Sequence, residues 1–465
     1  AEALRQPADP QAQVEWLDPA APLTRPFLDP DRARIGRALS GAFQVLATAL
    51  HSGDAADLPA HFSGPALQRA TLAAAPLDGS QAGMVVLRQQ ARPVFYHRDG
   101  SLAQIATEAL VARFATEGDA LAFHDLTIDA FLETLTNETT GWRVFAHERT
   151  GARPVPPPSP PRVPPRLAGL NYYPAATPWR AFWAGYDPAV IRADMARARS
   201  LGANAIRFFL PRADFLDPAG LERNLRNLQD FLEAAAAEGL MVVPTLFDMR
   251  GSYAPGTWGE DMAYLQAVLP VLAAAQNVAL IDLKNEPDLD FAAEGRGTVL
   301  AWAATMAGVI RLDAPGLPVT IGWSSAAEAG LLADRLDAIS YHDYAATDGT
   351  AARLKSLRAA HPGKPVLVTE IGATSLDLAF GVPSSPAGQA RDLARRLGAL
   401  AEADGIFVWA LNDFAEADAA AVGASPWVRA RQSAFGLFGT DGSEKPAAAA
   451  VRDAYSRYLI EGDRE

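Results

Sequence analysis

Two glutamates stand at the ends of two short apolar stretches, where their carboxyl groups could act together. Glu286 follows the apolar run 278–283 and precedes Pro287, and Glu370 ends the run 366–369. Such runs predict buried strands, and the first must end at Pro287 because proline cannot donate a backbone hydrogen bond. Two carboxyl groups on strand ends are what cleavage of a glycosidic bond needs, one as proton donor and the other as nucleophile or base.

Other polar side chains at predicted strand ends would support this pair. Arg207 and Tyr344 are placed to hold Glu370 ionised, and Asn285 to bond a sugar hydroxyl. We expect burial and the negative charge of Glu370 to raise the pKa of Glu286 and keep it protonated. Aromatic rings would stack on sugar faces. The remaining predicted substrate-binding residues are Tyr172, Asp248, Trp323, His342 and Trp409.

Several of these residues have a second interpretation. Arg207 could form an ordinary ion pair, and His342 could be a core histidine. Asp248 and Arg250 could form a loop salt bridge instead of a sugar subsite. Three tryptophans on predicted loops could bind sugar or pack the loops down. They are Trp179, Trp183 and Trp258.

From residue 167 onward, predicted strands alternate with predicted helices. This alternation would place the side chains named above together at the carboxyl ends of the strands. Helical stretches such as 189–201 and 221–238 separate the strands. Eight strands over about 290 residues predict an α/β fold of the (β/α)8 TIM-barrel type, whose chemistry gathers at the strands' carboxyl ends. No Gly-x-Gly-x-x-Gly turn follows the first strand, which disfavours a nucleotide-binding sheet. The predicted strands are 167–171, 205–209, 241–246, 278–283, 319–323, 338–340, 366–369 and 406–409.

The amino-terminal third has a different pattern. Apolar residues at helical spacing between 35 and 50 precede long β-prone segments separated by turns, which predicts a small α+β domain. Its element order resembles the nuclear-transport-factor-2-like (NTF2-like) superfamily. The predicted domains are an extended arm 1–30, an α+β domain 31–150, a proline-rich linker 151–165 and the barrel 166–465.

The barrel segment resembles glycoside hydrolase clan A, most closely family 5. The resemblance rests on Asn-Glu-Pro around Glu286, Thr-Glu-Ile-Gly around Glu370, Arg207 on strand two, the His342-x-Tyr344 pair and Trp409. It implies that Glu286 is the acid/base, that Glu370 is the nucleophile, and that the sugar's anomeric configuration is retained. The chain departs from family 5 glucanases after strand three, where 245–250 is closer to mannanase-like members. Residues 409–414 resemble the corresponding segment of glycoside hydrolase families 2 and 42.

The composition disfavours several classes of binding partner. A net charge of -13 without any basic run disfavours nucleic acid, and no stretch has the length of a membrane helix. The chain contains no cysteine and no His/Asp/Glu cluster at metal-ligand spacing, so neither a metal nor another cofactor is expected. The proline-rich start without methionine suggests a trimmed end. With a polymeric substrate, this favours a periplasmic or secreted protein over a cytoplasmic one.

The sequence therefore predicts a retaining endo-β-glycosidase that acts on a neutral β-linked polysaccharide, β-glucan first and β-mannan second. Exo action and transglycosylation remain open. The alternative from another class is a catalytically silent carbohydrate-binding or polysaccharide-assembly protein. The amino-terminal domain could bind glycan, bind a protein partner or only stiffen the chain.

Overall fold

The structure is a computed structural model that describes residues 14–75, 80–139, 141–155, 162–164, 166–377 and 384–462. The start of the predicted arm, 1–13, and residues 156–161 and 165 of the predicted linker lie outside this description.

The described chain forms two compact units. The first comprises residues 14–155 together with Ser252–Met262 and Phe291–Gly308, and the second comprises the other described residues from 162 onward. The sequence-based division used contiguous domains and assigned 252–262 and 291–308 to the barrel. In the structure both segments belong to the first unit.

The first unit is an antiparallel sheet with helices. A short strand in the predicted arm pairs in parallel with the first long strand, and the sheet order is β1-β2-β3-β4-β5. This α+β arrangement agrees with the sequence pattern, whereas the NTF2-like resemblance stays a prediction. The strands are β1 Val14–Trp16, β2 Ser80–Tyr96, β3 Leu102–Glu117, β4 Ala120–Glu138 and β5 Gly141–Pro154. The helices are α1 Asp29–Ser52, α2 Leu58–His61 and α3 Gly64–Ala73.

Helix α1 shows why this segment folds as predicted. Ile35 and Leu39 lie four residues apart on one helix face and are fully buried. Asp31 accepts a hydrogen bond from the Leu28 backbone N–H at 3.3 Å, which satisfies a donor at the helix start. The helix ends at Gly53, whose φ of 72° is the left-handed conformation that glycine adopts without strain.

The second unit is built on a closed barrel of eight parallel strands, which confirms the predicted (β/α)8 architecture. Most strand residues are buried, because helices cover one face of the barrel wall and the barrel interior covers the other. The strands are β6 Leu167–Asn171, β7 Ala205–Pro211, β8 Met241–Asp248, β9 Ile281–Asn285, β10 Val319–Trp323, β11 Ile339–His342, β12 Val366–Ile371 and β13 Gly405–Val408.

Helices follow or interrupt the connections between these strands. They are α4 Pro188–Ser200, α5 Leu221–Ala237, α6 Trp258–Ala274, α7 Phe291–Glu294, α8 Arg296–Asp313, α9 Thr350–Ala360, α10 Pro386–Ala399, α11 Ala419–Val422, α12 Pro426–Gln432 and α13 Pro446–Gly462. Among the described helices, none combines the length and the apolar character that crossing a membrane requires.

Strand register brings polar residues side by side at the carboxyl ends of the barrel strands. The register shifts by one residue where β10 pairs with β9 and where β11 pairs with β12, and such irregularities often re-aim side chains next to a functional site. The register pairs there are Asn171 with Arg207, Asn285 with Gly322, and His342 with Glu370.

Candidate active site

The guanidinium of Arg207 is the centre of the site. Its Nη1 donates to Glu370 Oε1 at 2.6 Å and to Asn171 Oδ1 at 2.8 Å. Its Nε and Nη2 donate to Asp282 Oδ2 at 2.9 and 2.7 Å, and Nη2 also donates to Asn285 Oδ1 at 2.7 Å. Burial opposes the charge, but the carboxylates of Asp282 and Glu370 raise the pKa of Arg207 above its ordinary value. The side chain is therefore a permanent, fully buried cation.

Glu370 is held from both sides of its carboxylate. Arg207 bonds Oε1, and the Tyr344 hydroxyl donates to Oε2 at 2.9 Å. Tyr344 is 43% exposed as a residue, yet its hydroxyl lies against Glu370, and desolvation together with that negative charge raises its pKa well above the ordinary value. The hydroxyl therefore remains a donor, and both oxygens of Glu370 are fixed by donors.

Glu286 pairs with His342. The backbone of Glu286 has φ 45°, a conformation that costs a non-glycine residue about 1–3 kcal/mol and persists only where its surroundings impose it. Its N–H donates to the Gly322 carbonyl at 2.8 Å, and its Oε1 lies 2.6 Å from His342 Nδ1. The Glu286 side chain is 23% exposed against 7% for Glu370, so Glu286 is the more accessible carboxyl.

The pKa of Glu286 corrects the sequence-based expectation. Burial favours the neutral carboxyl, but the charge and hydrogen bond of His342, with Arg207 and Lys284 nearby, outweigh it and lower the pKa below its usual value. Burial of His342 acts against its charge, but Glu370 and Glu286 raise its pKa. Each group therefore favours the charged form of the other, and the two titrate as a pair. The expectation failed because it counted burial and Glu370 but not the imidazole.

A second group of predicted residues adjoins this centre. The Tyr173 hydroxyl donates to Asp248 Oδ2 at 2.9 Å, and burial raises the pKa of Asp248 despite that bond. Tyr173 stacks on Phe209 with ring centroids 4.8 Å apart, and the Arg207 guanidinium lies 4.8 Å from the Phe209 centroid. Trp409 is 6.4 Å from Tyr173, edge to face. Aromatic contacts thus connect Asp248 and Trp409 to the arginine.

Two predicted sugar-stacking residues are covered by protein. Tyr172 is fully buried, its hydroxyl donates to Asp194 Oδ2 of α4 at 3.0 Å, and its ring packs against Phe182. Trp323 is also fully buried, so protein covers its ring faces in this structure. The next residue along the chain, Tyr173, is the tyrosine whose hydroxyl contacts Asp248.

The three loop tryptophans pack inside their units. Trp183 is fully buried, and its Nε1 donates to the Phe209 carbonyl at 3.0 Å. Trp179 is buried, with its ring 4.8 Å from that of Phe414. Trp258 is fully buried in the first unit. All three are packed inside the protein, Trp179 and Trp183 in the barrel unit and Trp258 at the start of α6.

Sequence reasoning did not select Asp282. Asp282 accepts from Arg207, from Thr245 Oγ1 at 3.2 Å and from the Gly322 N–H at 2.9 Å. Asn171 Nδ2 donates to the Thr369 carbonyl at 2.9 Å. The signal for Asp282 was present, since an acidic residue inside an apolar strand needs a buried cation as partner.

The donor set at the centre has the residue types of a metal site. One oxygen of Glu286, one oxygen of Glu370 and one ring nitrogen of His342 all lie within 4.8 Å of one another. These are groups that bind zinc. However, Glu370 Oε1 already accepts from Arg207, whose positive charge would oppose a cation there. The surroundings therefore fit a proton-transfer site better than a metal centre.

Comparisons with known proteins identify the fold. The sequence matches no protein-family profile and no curated protein. Solved structures do resemble it. GH5_18 from Streptomyces cattleya in complex with GlcNAc has a TM-score of 0.52 and 20% identity, over 65% of this chain and 82% of that one. Exo-β-1,4-mannosidase Op5Man5 from Opitutaceae bacterium strain TAV5 has a TM-score of 0.52 and 22% identity, over 65% of this chain and 60% of that one.

A third neighbour is similar over a comparable length. GH5_18 from Bifidobacterium longum subsp. infantis has a TM-score of 0.51 and 18% identity, over 64% of this chain and 80% of that one. The structural neighbours are glycoside hydrolases, and at these identities the likeness establishes the fold.

Replacing Gly322 with alanine should disrupt the arginine network. A Cβ there would lie 2.9 Å from His342 Nε2, 3.0 Å from Asp282 Oδ2 and 3.2 Å from Arg207 Nη2. We expect the free energy of unfolding to fall by about 1–3 kcal/mol, measured by denaturant titration. Gly316→Ala is the control, because a methyl group at that position would have no atom within 4 Å. Equal stability of the two variants would contradict the close packing around Gly322.

If this site cleaves β-glycosides, replacing His342 with glutamine should change the pH dependence of that activity. If Glu286 is the general acid, the alkaline limb of kcat/KM follows its pKa in the free enzyme. The imidazolium lowers that pKa, so its removal raises the pKa and moves the limb to higher pH. His51→Gln, at an exposed position on α1, should leave the profile unchanged. A limb that stays in place or moves to lower pH would show that His342 does not control Glu286.

Proposed function

We propose that this protein is a retaining β-glycosidase, with Glu286 as general acid/base and Glu370 as nucleophile. The observation that carries the proposal is the spacing of the two carboxyl groups, which have oxygens within 4.8 Å of each other. Retaining enzymes hold their carboxyls about 5–5.5 Å apart, whereas inverting enzymes leave about 6.5–9.5 Å for a water molecule. The short spacing supports double displacement.

The contacts of Glu370 suit a nucleophile. Its carboxylate would attack the anomeric carbon while the leaving oxygen takes a proton from Glu286, giving a covalent glycosyl-enzyme. Arg207 and Tyr344 orient the attacking carboxylate by their hydrogen bonds. When Glu370 becomes a neutral ester, Arg207 keeps the charge of Asp282 as its partner. The cation is therefore paired in both states.

The contacts of Glu286 suit a group that gives up a proton and takes one back. Its Oε1 and His342 Nδ1 are close enough to hold one proton between them. With that proton on Glu286 the group acts as acid in the first step. After the first step the carboxylate can take a proton from water, which then hydrolyses the glycosyl-enzyme.

For the substrate, we propose a neutral β-linked polysaccharide cut internally, with β-glucan tested first. In the described site the cations Arg207 and Lys284 face Asp282, Asp248 and the catalytic carboxylates, so neither is left over to select an anionic sugar. A β-mannoside is the second candidate, because a solved neighbour is an exo-β-1,4-mannosidase and another GH5_18 structure contains Manβ1-4GlcNAc. Asp248 after strand three, where family 5 glucanases carry histidine, favours the same candidate.

The remaining proposals depend on that substrate. A polymeric glycan favours a periplasmic or secreted location. A protein partner for the amino-terminal domain is a separate proposal. Transglycosylation and a catalytically silent binding role are alternatives that the following experiment separates.

Activity should require both glutamates. We expect hydrolysis of one polymer in a panel of β-glucans, β-mannan and Manβ1-4GlcNAc, with retention of anomeric configuration by NMR. Glu370→Gln should lower kcat/KM by about 10³-fold or more on every substrate. Glu286→Gln should spare aryl glycosides whose leaving group needs little protonation. The exposed Glu222→Gln is the matched control.

Other outcomes would reject parts of the proposal. Inverted products would exclude Glu370 as nucleophile. Binding without turnover would favour the silent protein, and transfer to an added sugar in preference to water would favour the transglycosylase. Loss of activity on dialysis against EDTA, restored by zinc, would make Glu286, His342 and Glu370 a metal site. Short oligosaccharides from the polymer indicate endo action, and monosaccharide alone indicates exo action.

A further inference from the structure

The first unit binds two chain segments that originate in the barrel sequence. Phe114 of β3 stacks on Trp258, with ring centroids 5.4 Å apart and planes at 25°. The ring nitrogen Nε2 of His124 on β4 lies 2.9 Å from the hydroxyl of Thr305 on α8. Both contacts are buried, since neither Trp258 nor Thr305 has any exposed surface. The sheet therefore packs on Ser252–Met262 and on Phe291–Gly308.

The two segments are also fixed to each other within this unit. The Tyr253 backbone N–H donates to Glu294 Oε2 at 3.0 Å, and Trp302 Nε1 donates to Asp261 Oδ2 at 2.9 Å. The rings of Tyr253 and Trp302 meet edge to face at 4.9 Å. Because each segment contacts the sheet and the other segment, neither can shift alone.

Glycines on α8 permit this close approach. A Cβ on Gly297 would lie 2.5 Å from Thr116 Cγ2 and 3.0 Å from Thr116 Cβ, and one on Gly308 would lie 2.6 Å from Leu126 Cδ2. Alanine is normally the better helix former, so the glycines serve the contact with β3 and β4 and not the helix itself.

Both segments directly continue the loops that carry site residues. Ser252 follows Asp248 by four positions, and Phe291 follows Glu286 by five. The backbone is left-handed at non-glycine residues at the end of β8 and in these loops, with φ 50° at Phe247, 56° at Met249 and 45° at Glu286. Such conformations persist only where flanking structure imposes them. The contacts with the sheet hold the chain on the carboxyl side of both loops.

We propose that the amino-terminal sheet is a positioning element of the catalytic site. By holding Ser252–Met262 and Phe291–Gly308, it maintains the backbone of the Asp248 and Glu286 loops and so keeps Glu286 against His342. The catalytic part of this inference rests on the proposed function. It gives the amino-terminal domain a role in turnover itself, in place of docking a glycan or a partner protein.

The test is to wedge the sheet away from α8 in the full-length protein. Gly297→Ala should lower kcat about 10- to 100-fold with a smaller change in KM, since small displacements of a catalytic group have effects of this size. It should also speed amide hydrogen exchange at residues 285–290 about tenfold, measured by mass spectrometry, because the loop loses its support. Thr305→Val, which removes the hydroxyl that meets His124, is a milder second variant with the same expected direction.

Controls separate this role from general destabilisation. Gly398→Ala places the same substitution in α10, where a methyl group would have no atom within 4 Å, and should change neither readout. Adding Thr116→Ala to Gly297→Ala removes the closest carbon and should restore part of kcat and of the exchange protection.

The result that overturns the proposal is a folded Gly297→Ala variant with wild-type kcat and wild-type exchange at 285–290. Hydrogen exchange needs no substrate. If the native protein cleaves no glycoside, faster exchange in the variant still supports positioning by the sheet, and only the proposed function fails.

Discussion

A single buried cation constrains the whole barrel mouth. Arg207 has no exposed surface, and a buried charge costs several kcal/mol unless it is paired and hydrogen-bonded. Its partners come from three other strands: Asn171 of β6, Asp282 and Asn285 of β9, and Glu370 of β12, around Arg207 itself on β7. These strands must keep their register for the cation to stay satisfied. The interaction that orients Glu370 is thus also one that fixes the barrel's upper end.

The proton-bearing half of the site depends on a different constraint. Glu286 has a left-handed backbone, and the short contact with His342 sets its pKa below the ordinary value although burial acts in the other direction. The neighbours of Glu286 therefore determine both the position of its carboxyl group and its pKa. A shift of its loop would change the distance to the imidazole and the pKa together, which is why support for the chain after Glu286 bears on the proposed chemistry.

Much of the fold followed from local pattern. Eight apolar stretches predicted all eight barrel strands, since a buried parallel strand reads as a short apolar run wherever it occurs. Helix α1 was equally readable from its apolar spacing and from Gly53. The membership of 252–262 and 291–308 in the first unit could not be predicted in this way, because these segments are helices and loops like others in a barrel. Their contacts with Phe114, Thr116, His124 and Leu126 distinguish them.

The sequence by itself determined which residue types stand at the strand ends, because apolar runs and Pro287 mark those ends locally. Tertiary structure decided which of these residues meet. Tyr173 and not Tyr172 contacts Asp248, because the chain just after β6 directs these two neighbouring side chains to different partners. It also decided that Asp282 is the partner of Arg207 and that His342 lowers the pKa of Glu286. Charge interactions fall off with distance, so their sign and size depend on a proximity that spacing along the chain does not contain.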